Sequence, residues 1–274
     1  MIGQTAWLTA APALLAFSLF SSSAHAQAKQ EASSAASALP DVAGIRPGMS
    51  AQEAYNLLKA RNPNIQIGMG QIPIAGFGEK PVVTEMRALV SDPSAPEILT
   101  VWLTTPPNKQ VVMAVGRVLD YDPSQPLLRS NVLESLRQKY GRETENNMYL
   151  VSWVFDEHGQ RFDPSRLKQL NCTSAFMPNL NVASPQGATF PAPTALIYTP
   201  QPANPCDFQI DVTAQLTGSS GQDQTYVRHI LLMVWDRGLQ RQTQDAYQAY
   251  LANADARKGK EELEKAKQRT VPKF

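Results

Sequence analysis

The chain has 274 residues, with 25 Lys and Arg against 24 Asp and Glu and a formal net charge of +1. That balance argues against a nucleic-acid binder, which needs a basic face. The length suits one large domain or two small ones.

Residues 1–26 read as a secretory signal. Ala6 to Phe20 is apolar, Ser21 to Ser23 is small and polar, and Ala24-His25-Ala26 has the small-x-small form of a cleavage site. No Lys or Arg precedes the apolar run, a departure from the usual pattern. The run is short for a membrane span, which needs roughly 20 apolar residues. No Cys stands at the cleavage site, so no lipid attachment is expected, and no long apolar segment follows. An exported chain without a transmembrane segment, periplasmic or secreted, is the expectation. Residues 27–40, rich in Ala and Ser without apolar periodicity, read as a flexible leader.

The first folded unit is expected over residues 41–121. Pro47-Gly48 is a turn pair, Ser50 an N-cap and Glu53 its capping-box partner, with Met49 placed to staple against Ala54. Ala54, Leu57 and Leu58 line one helical face, and Asn62-Pro63 ends the helix. The run from Ile45 to Lys59, with its Gly-Met-Ser cap, resembles the opening helix of small outer-membrane-assembly lipoproteins. It is also similar to the repeat unit of the β-lactamase-inhibitor-protein-like fold. The resemblance implies a helix laid across an antiparallel sheet and, on the inhibitor side, a chain that blocks a secreted hydrolase.

Residues 68–80 form an apolar, glycine-rich segment, read as a connection. Three strands are expected over 81–91, 97–105 and 109–121, rich in Val, Leu and Thr and separated by Pro and Asn turns. The second unit covers 122–238. Its helix spans about 127–140, with Asn131 and Glu134 as a second capping box, Val132, Leu133, Leu136 and Tyr140 on one face, and Gly141 as the stop. A strand over 148–155 and a turn at 156–159 follow, with a short return over 160–162. Residues 163–205 are irregular and rich in Pro and Asn. Phe208, Ile210, Val212, Ala214 and Leu216 then alternate with polar residues, the mark of a half-buried strand, and 226–235 is its antiparallel partner. Residues 239–274 form a C-terminal helix and tail that charges dominate past Gly259. The fold class is α+β: an antiparallel sheet covered by helices on one face, a tandem helix-plus-three-strand arrangement. Cys172 and Cys206, in an exported chain, are expected to be disulfide-bonded.

The chemistry is sparse. His158 sits in a tight turn, where adjacent Asp156 and Glu157 point apart in extended backbone. His229 opens the last strand as a core or edge histidine. Asp120, Asp122 and Ser124 have calcium-loop spacing, but Gln125 replaces the required Gly and Asn131 the closing acid, so a turn is expected. The glycines at 68, 70, 76 and 78 do not form a phosphate loop. Their companions Met69, Ile72, Ile74 and Phe77 form either a partner-binding loop or a sheet-edge connection tucked over the core. No catalytic, metal or cofactor residue is assigned. The leading expectation is an exported, non-catalytic envelope protein that binds another protein. A hydrolase with a dispersed site near 163–205, using His158 or His229, is the alternative. Oligomeric state is left open.

Overall fold

The structure is a computed structural model that describes residues 39–62, 65–74, 77, 80–90, 96–122, 124–147, 150–169, 172, 206, 209–218 and 225–269. The expected signal, and the leader up to residue 38, lie outside these. Helix α1 (Ala51–Arg61) starts as its sequence dictates. The Ser50 hydroxyl accepts from the Glu53 N–H at 3.2 Å, and Glu53 accepts from the Ser50 N–H at 2.9 Å. Ala54 and Leu58 are buried, and Asn62 leaves the helix in extended backbone.

Four antiparallel strands follow: β1 (Gln66–Ile72), β2 (Val82–Val90), β3 (Glu97–Leu103) and β4 (Val112–Asp120). Strand β1 corrects the reading of residues 68–80 as a connection. Glycine at 68 and 70 lowers local strand propensity, yet pairing with β2 holds the segment extended. Space on one side is also tight at Gly70: a Cβ there would lie 3.0 Å from the Glu85 Cβ, so a larger residue would have to push that side chain aside.

The second unit repeats the plan. Strand β5 (Leu127–Leu128) leads into α2 (Arg129–Tyr140), then β6 (Glu145–Asn146), β7 (Leu150–Phe155) and α3 (Pro164–Gln169). Strands β8 (Ile210–Thr217), β9 (Tyr226–Val227) and β10 (His229–Asp236) precede α4 (Arg237–Lys267). The second capping box is not used. Helix α2 starts at Arg129, its N-cap Leu128 giving no side-chain cap, because β5 pairs with β9 and the Arg129 N–H donates to the Thr225 carbonyl. Gly141 ends α2 at φ 80, donating its N–H to the Arg137 carbonyl.

The sheet has eight strands in the order β1-β2-β3-β4-β10-β8-β7-β6. Each unit is therefore a helix followed by four sheet strands, one more than expected, and the last strands β4 and β10 pair antiparallel at the centre. Helices α1 and α2 lie on the same face of the sheet: Ala54 and Leu58 of the first and Leu133 and Leu136 of the second share one core cluster. The main core lies between that face and the helices, with Leu58, Leu99, Val115, Leu136, Trp153, Val212 and Val234 among its members.

The opposite face is covered as well. Trp102, Val118, Leu231, Met233 and Trp235 cluster there, with Leu239 from the start of α4 against them. This corrects the half-buried reading of β8: Asp211 and Thr213, opposite Trp235 and Met233, are buried with Gln209 just before the strand. Along α4, Leu239, Thr243, Tyr247 and Tyr250 fall on one side, and Thr243, Gln244 and Tyr247 are its buried residues. Beyond residue 255 the described part of the helix is exposed, as its charge predicts.

Asp211 is held by Arg237 Nε at 2.9 Å and by the Gln209 amide at 2.8 Å. Burial nonetheless pushes its carboxyl up to about 6, against the pull of those two groups. The folded chain then keeps this proton at a pH where the unfolded chain has lost it. Stability should fall as pH rises from the ordinary 3.8 to about 6. Asp236, raised by burial too, acts in the same sense. Glu143, held at about 2 by Arg137, contributes stability that is lost only below its ordinary 4.5. Urea titrations of Asp211→Asn should show a shallower slope across that window; an unchanged slope would rule the carboxyl out as its source.

Candidate functional site

The four residues singled out near the glycines divide into two pairs. Met69 and Ile72 lie on β1, the first edge of the sheet, where Met69 is 44% exposed. Ile74 is buried, and Phe77 stacks on Tyr250 of α4 with ring centroids 4.2 Å apart. The latter two tie the strand's exit to the body of the protein.

Strand β1 offers seven residues, QIGMGQI, with no charge and no proline. Its outer side turns alternate backbone N–H and C=O groups away from β2. Edges are ordinarily blunted by charges, proline, bulges, shortness or a covering element. Here a bulge between Gly70 and Gln71 is the one such device in the strand. The opposite edge of the sheet is different: β6 has two residues, and one of them is Glu145. On the helix-bearing side of β1, Ile67 and Met69 stand opposite Ala88 and Met86. On the other side Gly68 and Gly70 stand opposite Arg87 and Glu85, which pair with each other at 3.0 Å. An added strand would find apolar side chains on one side and bare backbone on the other.

The histidines do not share a site. His229 pairs with Asp120 and Thr217 at one end of β10. Asp236 at the other end pairs with Ile210, which pairs with Phe155, three residues before His158. Seven residues of strand separate these ends, about 23 Å. His158 is exposed in its turn, with Asp156 accepting from the N–H groups of His158 and Gln160. His229 Nδ1 lies 3.0 Å from Asp120 Oδ1. Asp120 thus serves the strand end, and Asp122 accepts from the Ser124 N–H and hydroxyl, so this stretch is a turn. Among the described residues no group of three or more His, Cys, Asp or Glu is placed to hold a metal.

The disulfide joins Cys172 and Cys206, Cα atoms 5.6 Å apart, and packs with Val154, Phe162 and Leu167. It closes the base of the irregular segment, most of which lies outside the described residues. A polar cleft of about 590 Å³ lies beside that base, where residues 142–144 face 161–164. Its acids are poor proton donors: hydrogen bonds from Arg137 hold Glu143 at about 2, and those from Ser165 hold Asp163 low. A second cleft, of about 300 Å³, opens between α2 and strands β4 and β10. Sequence reasoning missed it, although Arg117 between Val115 and Leu119 on an inward-facing series was a visible signal.

No helix among the described residues is long and apolar enough to cross a membrane. Comparison with protein-family models, with characterised proteins and with solved structures finds no match for this chain.

Proposed function

We propose that this chain is an exported, non-catalytic binding protein that takes up an extended segment of another polypeptide along β1. The observation that carries the reading is the contrast between the two ends of one sheet. One end is a two-residue, acidic strand; the other is a seven-residue, uncharged strand with an exposed methionine. Strand addition draws affinity from main-chain hydrogen bonds and specificity from alternate side chains. The fitting segment has apolar residues that meet Ile67 and Met69, and an aromatic ring over Gly68 or Gly70. Export is supported by the apolar run with its A-x-A site, and the disulfide accords with an oxidising compartment. The hydrolase alternative draws less support from the described residues: His158 is exposed in its turn, and His229 lies beside Asp120 at the end of β10 remote from the disulfide-closed segment.

Peptides selected against the mature protein from a displayed random library test this reading. They should alternate apolar residues and protect the amides of residues 66–72 from exchange. Met69→Lys with Gln71→Lys, both exposed positions, should weaken them at least tenfold with the thermal midpoint unchanged. Selected peptides that bind the double variant equally well would refute edge addition.

A further inference from the structure

The cleft between α2 and the centre of the sheet lies at the junction of the two units, on the face that α1 and α2 share. Its floor is aliphatic: Leu119, Leu136, Ile230 and Leu232. Its volume, about 300 Å³, is at the small end of ligand pockets. Among the described residues one cation, Arg117, lines it, and that cation is only half used. Glu97 is buried and accepts from Arg61 Nη2 on both carboxylate oxygens, at 3.1 and 2.9 Å. Arg117 donates to it through Nε alone, at 2.6 Å. Among the described residues the Nη groups of Arg117 have no partner, and the side chain is about one-third exposed. Two guanidinium groups against one carboxylate leave an excess positive charge beside an aliphatic floor. A guanidinium fork with free N–H groups matches a carboxylate in geometry as well as charge. Asn131 and Ser135 on α2 add hydrogen-bonding groups at the rim.

We infer that this cleft binds a single-chain amphipathic carboxylate, its chain on the aliphatic floor and its head on the free edge of Arg117. The site is separate from β1 and does not depend on strand addition there.

Titration calorimetry with decanoate, below its micellar range, tests the assignment, with decanol as the neutral control. Saturable 1:1 binding of decanoate is expected, with decanol at least tenfold weaker. Ser135→Trp fills the mouth from an exposed helix position and should abolish binding of both. Arg117→Gln should bring decanoate down to the level of decanol. That variant leaves Glu97 with Arg61 alone, so its melting curve is recorded alongside. Should it unfold, the decanoate-to-decanol ratio and Ser135→Trp still decide. Equal binding of decanoate and decanol, an undiminished affinity in Ser135→Trp, or no saturable binding of decanoate would each overturn the proposal.

Discussion

Trp153→Ala should destabilise the protein by about 3–5 kcal/mol in urea titrations, the range for deleting a large buried aromatic. Trp153 is fully buried on the helix-bearing face of β7. Its ring meets Tyr140 at 5.4 Å, and its Nε1 donates to the Gly141 carbonyl at 2.8 Å. Tyr140 in turn donates its hydroxyl to the Asp41 carbonyl at 2.6 Å, which ties the start of the folded chain to the end of α2. Alanine would open a cavity, orphan the Gly141 carbonyl and remove one wall of the Tyr140 site. Trp153→Phe separates these effects. It keeps an aromatic ring and loses the hydrogen bond, so it should cost about 1–3 kcal/mol. A loss under about 1 kcal/mol for the alanine variant would show that this corner of the core collapses readily, contrary to the packing described.

Cys172→Ser with Cys206→Ser should cost about 3–4 kcal/mol on the chain-entropy account for a separation of 34 residues. The bond ties the segment after α3 to the entrance of β8. The Cys172 N–H donates to the Leu167 carbonyl, and the Gln209 N–H donates to the Cys206 carbonyl. Its loss should also loosen the small cluster of Val154, Phe162 and Leu167. Two readouts follow: a lower urea midpoint, and faster proteolysis between residues 163 and 209 while the central strands stay protected. An unchanged midpoint would mean that the bond does not constrain the unfolded chain as supposed.

What could be read from the sequence was local. The Ser50–Glu53 box, the Gly141 stop, the pairing of β8 with β10 and the disulfide each follow from a few neighbouring residues or from compartment logic. What was missed was set by distant partners. Strand β1 carries two glycines and exists through its ladder to β2. Helix α2 begins where β9 meets β5, so the local Asn131–Glu134 signal lost to a tertiary one. The alternation in β8 suggested one wet face, but the unbroken apolar run of its partner, Ile230 to Trp235, already required both faces to be covered. Arg237 and Gln209 make that burial tolerable for Asp211. The binding surface was half legible: Met69 and Ile72 lie on the open edge, while Ile74 and Phe77 are used by the fold. Glu97 gave no hint of its pairing with Arg61 and Arg117, because they lie 36 and 20 residues away and reach it only in the folded chain.

Amide hydrogen exchange of the mature protein, resolved by residue and recorded without any partner, tests the open edge most directly. Alternate amides of Gln66 to Gly70 should exchange nearly as fast as those of exposed turns, while β4 and β10 exchange slowest of all. Uniform protection of all five at the level of β4 would show that the edge is already covered, and would contradict the account of how this protein binds.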